Sequence, residues 1–358
     1  MSSESKRRVT RTIRPVAEPD SSANGVAPLT ISDVLTNIDN RLAIASHGFR
    51  VIPTGFTPLD ETLGGGLHGG DLFLLAGSQG TGKTTLALQM ARNIAVSDTA
   101  TALYLSFEHE EVNLLCRLLA MESALSEAQS GRELTFREVQ RMFMAATRRG
   151  IETMTTLSNA DPRLARMLRQ TKAYQERLLM LRPSSRTTTV AAIAELVDRV
   201  QQKTGRMVVL FVDYLQKVPA EREFLSEGDR ITWVTVELNE LNIQRDMAVV
   251  AIAALDQDGL KAKRLHVHHL WGGSVLAYEA DIIVMLAEKA DSIARVYYEF
   301  SPQKVAQFRD WVVASLVKNR SGQNLIDMEF RKRFASSCFD PNGGFVAEKL
   351  VDEHVYRE

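Results

Sequence analysis

Six short, nearly unbroken apolar runs, at residues 71–76, 102–107, 178–181, 207–213, 248–254 and 281–286, recur along the chain between longer mixed segments. Runs of this length without polar alternation predict strands buried on both faces, as in a parallel sheet. The segments between them carry apolar residues at helical spacing. Leu86, Met90, Ala91 and Ile94 follow the first run, and further helices are expected over 189–202 and 230–245. An earlier helix opens at residue 29, with Thr30 or Ser32 as its cap and Ile31, Val34, Leu35, Ile38 and Leu42 as one apolar stripe. That stripe either packs on its own domain or docks on a neighbouring subunit. Residues 112–177 read as charged helices, and 311–317 with 325–330 as an antiparallel pair joined by a turn at 318–322. Strands alternating with helices define an α/β fold: a doubly wound, mostly parallel sheet with helices on both faces.

The turn after the first run is Gly77-Ser78-Gln79-Gly80-Thr81-Gly82-Lys83-Thr84, a full match to the phosphate-loop pattern G-x-x-x-x-G-K-[ST]. Its glycines let backbone N–H groups turn inward around phosphates. Lys83 places a charge on the β/γ-phosphates, and the Thr84 hydroxyl is a ligand for Mg²⁺. With glycine near ~7% of residues, a chance match in a chain of this length is about one in a hundred. A strand precedes the loop and a helix follows from Thr85, whose N-terminus adds its own N–H groups and dipole. This is a nucleotide site.

Two strand ends carry acids beside it. Asp213 closes the run 207–213 and is placed to hold Mg²⁺ with Thr84, although a capping role is the plainer alternative. The run 102–107 ends at Glu108-His109-Glu110-Glu111. Glu108 either activates the attacking water or, with Glu110 and Glu111, merely favours a helix N-terminus.

Charge adds local detail only. Forty-three Lys and Arg against 44 Asp and Glu leave a net charge of −1, so attraction to a polyanion has to be local. Residues 1–28 form an arm without apolar pattern, with Lys6, Arg7, Arg8, Arg11 and Arg14 near its start; it is expected to be disordered, gripping phosphate or simply solvated. The loop after 248–254 holds Lys261, Lys263, Arg264, His266, His268 and His269, either a phosphate-backbone contact or a plain surface loop. Lys318 and Arg320 share one side of their turn and are able to reach an anion, including a neighbour's nucleotide. Two distant cysteines, Cys116 and Cys338, suit a reduced cytoplasmic protein, and no apolar run approaches the ~18 residues of a membrane span.

Together these motifs resemble the C-terminal ATPase domain of DnaB-type replicative helicases, within the RecA-like group. The similarity runs over roughly residues 29–340. It rests on Pro53-Thr54-Gly55-Phe56, Leu59-Asp60, the glycines before Gly70-Asp71-Leu72 and the phosphate loop. It continues through Leu105-Ser106-Phe107-Glu108, Val212-Asp213-Tyr214-Leu215-Gln216, Glu279-Ala280-Asp281 and Lys318-Asn319-Arg320-Ser321-Gly322.

The resemblance implies an ATP-hydrolysing helicase or translocase with Glu108 as catalytic glutamate and Asp213 as the Mg²⁺-linked acid. Lys318 and Arg320 would act in trans, Arg320 as the arginine finger on the next subunit's ATP. It implies a linker helix over 29–46, an ATPase domain over 47–340 and a C-terminal tail over 341–358. It also implies a homo-oligomer in the form of a hexameric ring, single-stranded DNA tracked by Lys261, Lys263 and Arg264, loader or replication partners, and a cytoplasmic, nucleoid-associated setting. Three departures stand out. A basic arm occupies the place of the family's primase-recruiting N-terminal domain, Ala253-Ala254 replaces a Ser-Gln pair expected to sense the γ-phosphate, and the helical stretch 112–177 is long. Those departures keep two other readings open: a regulatory ATPase on protein partners, and an ATP-gated DNA scaffold with weak turnover.

Overall fold

The computed structural model describes residues 28–43, 50–125, 132–148, 154–156, 161–293, 306–348 and 350–351. The expected basic arm, except its last residue, lies outside them, as do the end of the linker segment and most of the C-terminal tail. The chain divides into two units, Met1–Phe49 and Arg50–Glu358. In the first, helix α1 (Ile31–Ala43) is capped by Thr30. The Thr30 N–H and hydroxyl donate to Asp33 Oδ2 at 2.9 and 2.6 Å, and the Asp33 N–H returns a bond to Thr30 Oγ1 at 3.2 Å. This reciprocal arrangement satisfies donors that a helix start otherwise leaves bare.

The second unit opens with a small antiparallel pair, β1 (Val51–Ile52) and β2 (Leu67–His68), flanking helix α2 (Thr57–Thr62). The main sheet follows: β3 (Leu72–Gly77), β4 (Thr101–Ser106), β5 (Leu178–Leu181), β6 (Val208–Asp213), β7 (Ala248–Ala253), β8 (Ile282–Glu288), β9 (Trp311–Asn319), β10 (Ile326–Arg333), β11 (Cys338–Phe339) and β12 (Gly344–Phe345). Its spatial order is β11-β10-β9-β8-β3-β7-β6-β4-β5, with β12 on β10. The six strands from β8 to β5 are mutually parallel, and β9, β10 and β11 extend them antiparallel.

Every residue of β3, β4, β6 and β7 is buried, because helices cover both faces. Alternate residues feed two cores. Phe73, Leu75, Tyr104, Phe211 and Ile252 pack with Leu86, Met90 and Ile94 of α3 (Lys83–Ser97). Leu74, Ala76, Leu105, Leu210 and Val212 pack on the other face, against helices α7 (Val190–Thr204) and α8 (Glu227–Gln244). Each such side chain contributes about 1.5–3 kcal/mol of burial, which is why polar alternation never appears in these runs. The 112–177 stretch is helical as expected: α4 (Glu111–Leu125), α5 (Phe136–Arg148) and α6 (Pro162–Lys172) pack around Leu119, Leu134, Val139, Leu164 and Met167.

One boundary differs from the sequence reading. Lys318 and Asn319, expected in a turn, belong to β9, because Ile282 and Ile283 of β8 continue to pair with them. A register shift between Ile283 and Val284 leaves Val317 as an extra residue, and such a bulge re-aims the side chains beyond it.

Candidate nucleotide-binding and catalytic site

Strand β3 delivers the phosphate loop at the carboxyl edge of the parallel sheet, and α3 leaves from it. Gly82, the cap of α3, has φ +94°, and a Cβ there would stand 2.6 Å from the ring tips of Phe334 and Phe339. Only glycine tolerates both the left-handed backbone and this close approach. The Thr81 hydroxyl donates to the Ser78 carbonyl at 2.9 Å and pins the loop from within. Lys83 Nζ donates to the Gly77 and Ser78 carbonyls, 2.9 Å each. Burial lowers the Lys83 pKa, while the charges of Asp213 and Glu108 work against that shift.

Thr84 Oγ1 donates to Asp213 Oδ2 at 3.0 Å, and the buried Tyr104 hydroxyl donates to the same oxygen at 3.1 Å. Burial pushes the Asp213 pKa up to about 6 and the charge of Glu108 adds to this, whereas the two hydroxyl bonds and Lys83 oppose it. A hydroxyl and a buried carboxylate in contact are hard oxygen donors, short of positive charge, and that set suits Mg²⁺ completed by phosphate and water. Glu108, Arg117 and the loop residues Gly77, Gln79, Gly80, Gly82, Lys83, Thr84 and Thr85 line one cleft of about 620 Å³ with Asp213. That volume lies within the range of small-ligand pockets. Glu108 is exposed in it, two residues beyond the end of β4.

Arg117 had no sequence signal separating it from the other arginines of 112–177. The fold brings it here because α4 begins directly after the β4 end. Its Nε donates to Asn113 Oδ1 at 3.0 Å and its guanidinium lies 5.0 Å from the centre of the Phe136 ring. Phe334, Tyr214 and Trp271 complete the wall; the Asp213–Tyr214 peptide is cis. Ala253 and Ala254 border the cleft without a polar side chain. Gln216, by contrast, reaches the Ala254 N–H with its Oε1 at 3.1 Å.

The other expected residues lie elsewhere. Lys318 Nζ donates to the carbonyls of Ala277 and Tyr278 at 2.7 and 3.1 Å, at the end of helix α9 (Ser274–Glu279). Arg320 pairs with Asp281 at 3.0 Å, and Asp281 binds the backbone of Leu72, where β3 begins. Both cations therefore occupy the amino edge of the parallel strands, opposite the phosphate loop. The length of β3, roughly 20 Å, separates the two edges. In the basic loop, Arg264 is not available as an exposed cation: it pairs with Asp327 of β10 at 2.8 Å. Lys261 and Lys263 are exposed and line a second cleft with Ser78, Gln79 and Thr81, directly behind the phosphate loop.

A phosphate loop on a sheet of this strand order, with an acid at the end of the second strand away, defines a RecA-like P-loop nucleotide-binding domain. The family model for the DnaB-like helicase C terminal domain matches residues 51–337. The chain belongs to that family. It is 24% identical over 257 residues to the replicative DNA helicase DnaB of Treponema pallidum, covering 72% of this chain and 52% of that protein. It is also 45% identical over 83 residues to the DNA repair protein RadA of Mycolicibacterium smegmatis, covering 23% of this chain and 16% of that one. The chain spans about half the length of the DnaB relatives it matches. Among solved structures, an ATPase domain superposes with a TM-score of 0.67 at 19% identity, covering 87% of this chain and 99% of that one. A DnaB-like replicative helicase described with its primase interactions gives 0.65 at 19% identity, over 87% of this chain and 68% of that one. These likenesses establish the fold.

Proposed function

We propose that the chain is the ATP-hydrolysing motor of a ring-forming DNA helicase or translocase acting in replication or repair. The observation that carries this reading is the position of Lys83 and Arg320 at opposite edges of one sheet. A cleft that holds its phosphate loop at one edge, and an Arg320 side chain 73% exposed at the other, suit head-to-tail assembly. In such an assembly the arginine of one subunit meets the nucleotide of the next, and the contact closes into a ring when its rotation permits. A hexamer is the form proposed.

The roles follow from the geometry. Lys83 exchanges its two carbonyl partners for the β/γ-phosphate oxygens, and the N–H groups from Gly80 to Thr85 cradle the rest. Mg²⁺, when bound, neutralises charge between the phosphates, and Thr84 and Asp213 are the residues that hold it. Glu108 orients the attacking water and accepts its proton. Arg320 of the neighbouring subunit, with Lys318 beside it, stabilises charge on the transferred phosphoryl group. Single-stranded DNA is the track, and a loader or other replication proteins are the partners proposed, in a cytoplasmic, nucleoid-associated setting.

The test is ATP hydrolysis with and without single-stranded DNA, alongside unwinding of a forked duplex. Stimulation by DNA that Lys83→Ala abolishes supports the motor. Turnover indifferent to DNA, with no unwinding, overturns it.

A further inference from the structure

A groove of about 610 Å³ adjoins the nucleotide cleft, and Tyr214 and Trp271 wall both. Its far side comes from the segment after β6, including Lys217, Arg222, Phe224 and Leu225. Leu225 is fully exposed and Trp271 is 41% exposed, two large apolar surfaces left in water along one groove. The Arg222 guanidinium lies 4.8 Å from the centre of the Phe224 ring and 5.7 Å from that of Trp233. Lys217 Nζ lies 5.8 Å from the centre of the Tyr214 ring. Among the described residues neither cation has a carboxylate at ion-pair distance. Of the nearby acids, Glu227 is held by Arg230 and Glu221 accepts the Ala191 N–H, which leaves Glu223.

Trp271 is held in place by its backbone. Its N–H donates to the Ala254 carbonyl at 3.0 Å, and its carbonyl accepts from Gln216 Nε2 at 2.9 Å. Gly272 and Gly273 follow at φ +126° and +84°, so the chain turns away and leaves the indole standing at the groove.

Aromatic faces interleaved with unpaired cations bind single strands without reading sequence, because every base has a face to stack and every nucleotide a phosphate. We propose that this groove is a base-stacking site for single-stranded DNA, with Trp271 as the platform and Arg222 and Lys217 as phosphate contacts. The site rests on the DNA-motor reading above and names where the bases sit. Since Tyr214 and Trp271 face the nucleotide cleft as well, affinities for DNA and nucleotide are linked and respond to each other equally.

The test compares the full chain with its Trp271→Ala, Trp271→Phe and Arg222→Ala variants. Binding of labelled oligo(dT) and of an abasic oligonucleotide of equal length is followed by anisotropy, with nucleotide affinity as the control for folding. Trp271→Ala is expected to weaken oligo(dT) about tenfold, Trp271→Phe to restore most of that, and the abasic strand to bind the wild type as weakly as oligo(dT) binds Trp271→Ala. Arg222→Ala, an exposed change, should weaken both strands alike. Equal binding of abasic and normal strands, or oligo(dT) affinity unmoved in all three variants, overturns the stacking site while leaving a DNA-binding motor. A wild type that binds no oligo(dT) in any nucleotide state overturns the motor reading itself.

Discussion

Arg320 and Asp281 meet in a 3.0 Å ion pair, and the same carboxylate accepts the Leu72 N–H at 3.0 Å with its other oxygen. The exposed arginine is thereby anchored to the start of the very strand whose far end carries the phosphate loop. Within one subunit it has no route to Lys83. Arg320→Ala is expected to bind nucleotide normally and to lose about a thousandfold in turnover. Mixing it with Lys83→Ala should recover activity, because an interface joining an intact cleft to an intact arginine forms in about one pairing in four. Steady-state ATPase across mixing ratios gives the answer, and activity absent at every ratio would remove the trans assignment.

Much of this was legible in the sequence, for a local reason. The phosphate loop is a continuous motif, and the runs ending at Phe107 and Asp213 are apolar throughout because both faces of their strands are covered. What was not legible depends on partners far away in the chain. The basic loop loses Arg264 to Asp327, 63 residues on, and nothing near Arg264 announces that pairing. Arg117 enters the cleft only because of the direction α4 takes from β4. The end of β9 moved beyond Val317 because β8 was long enough to pair with it.

Gly82 and Gly80 separate two costs that a glycine-rich loop usually confounds. Both have positive φ, +94° and +85°, but a Cβ at Gly80 meets nothing within 4 Å, whereas one at Gly82 collides with two phenylalanine rings. Gly80→Ala is expected to cost about 1 kcal/mol, the strain alone. Gly82→Ala adds overpacking of about 1–3 kcal/mol and pushes Phe334 toward the nucleotide. Thermal unfolding and nucleotide titration should rank Gly82→Ala well below Gly80→Ala on both counts.

Glu122, only 1% exposed, ties the phosphate-loop helix to the helical segment that follows. Arg92 of α3 reaches it through Nε at 2.6 Å and a second nitrogen at 2.9 Å, and the Tyr174 hydroxyl donates to it at 2.6 Å. Removing the charge leaves a largely buried guanidinium without its counter-ion, so Glu122→Gln should cost about 3 kcal/mol in urea unfolding. Tyr174→Phe should cost about 1 kcal/mol. Because both act through one carboxylate, the double variant should fall short of the sum. Additive costs would mean that the three groups do not form one network.

Gln216 joins the end of β7 to the Trp271 loop, with Oε1 on the Ala254 N–H and Nε2 on the Trp271 carbonyl. A further bridge between Leu255 and Leu270 closes the same loop at its base. Gln216→Leu fills the space but leaves two buried backbone groups unpaired, at about 1–3 kcal/mol each. The penalty is local, so the Ala254 amide should exchange with solvent about tenfold faster or more, while amides in β3 and β6 keep their protection. Gln216→Glu keeps the acceptor for Ala254 and loses only the donor to Trp271, so its Ala254 exchange should fall between the two. On the motor reading the loosened loop also separates nucleotide from DNA: nucleotide affinity holds within a few fold, while stimulation of turnover by single-stranded DNA drops. Unchanged exchange at Ala254 in Gln216→Leu would show that the bridge at Leu255 and Leu270 holds the loop without the glutamine.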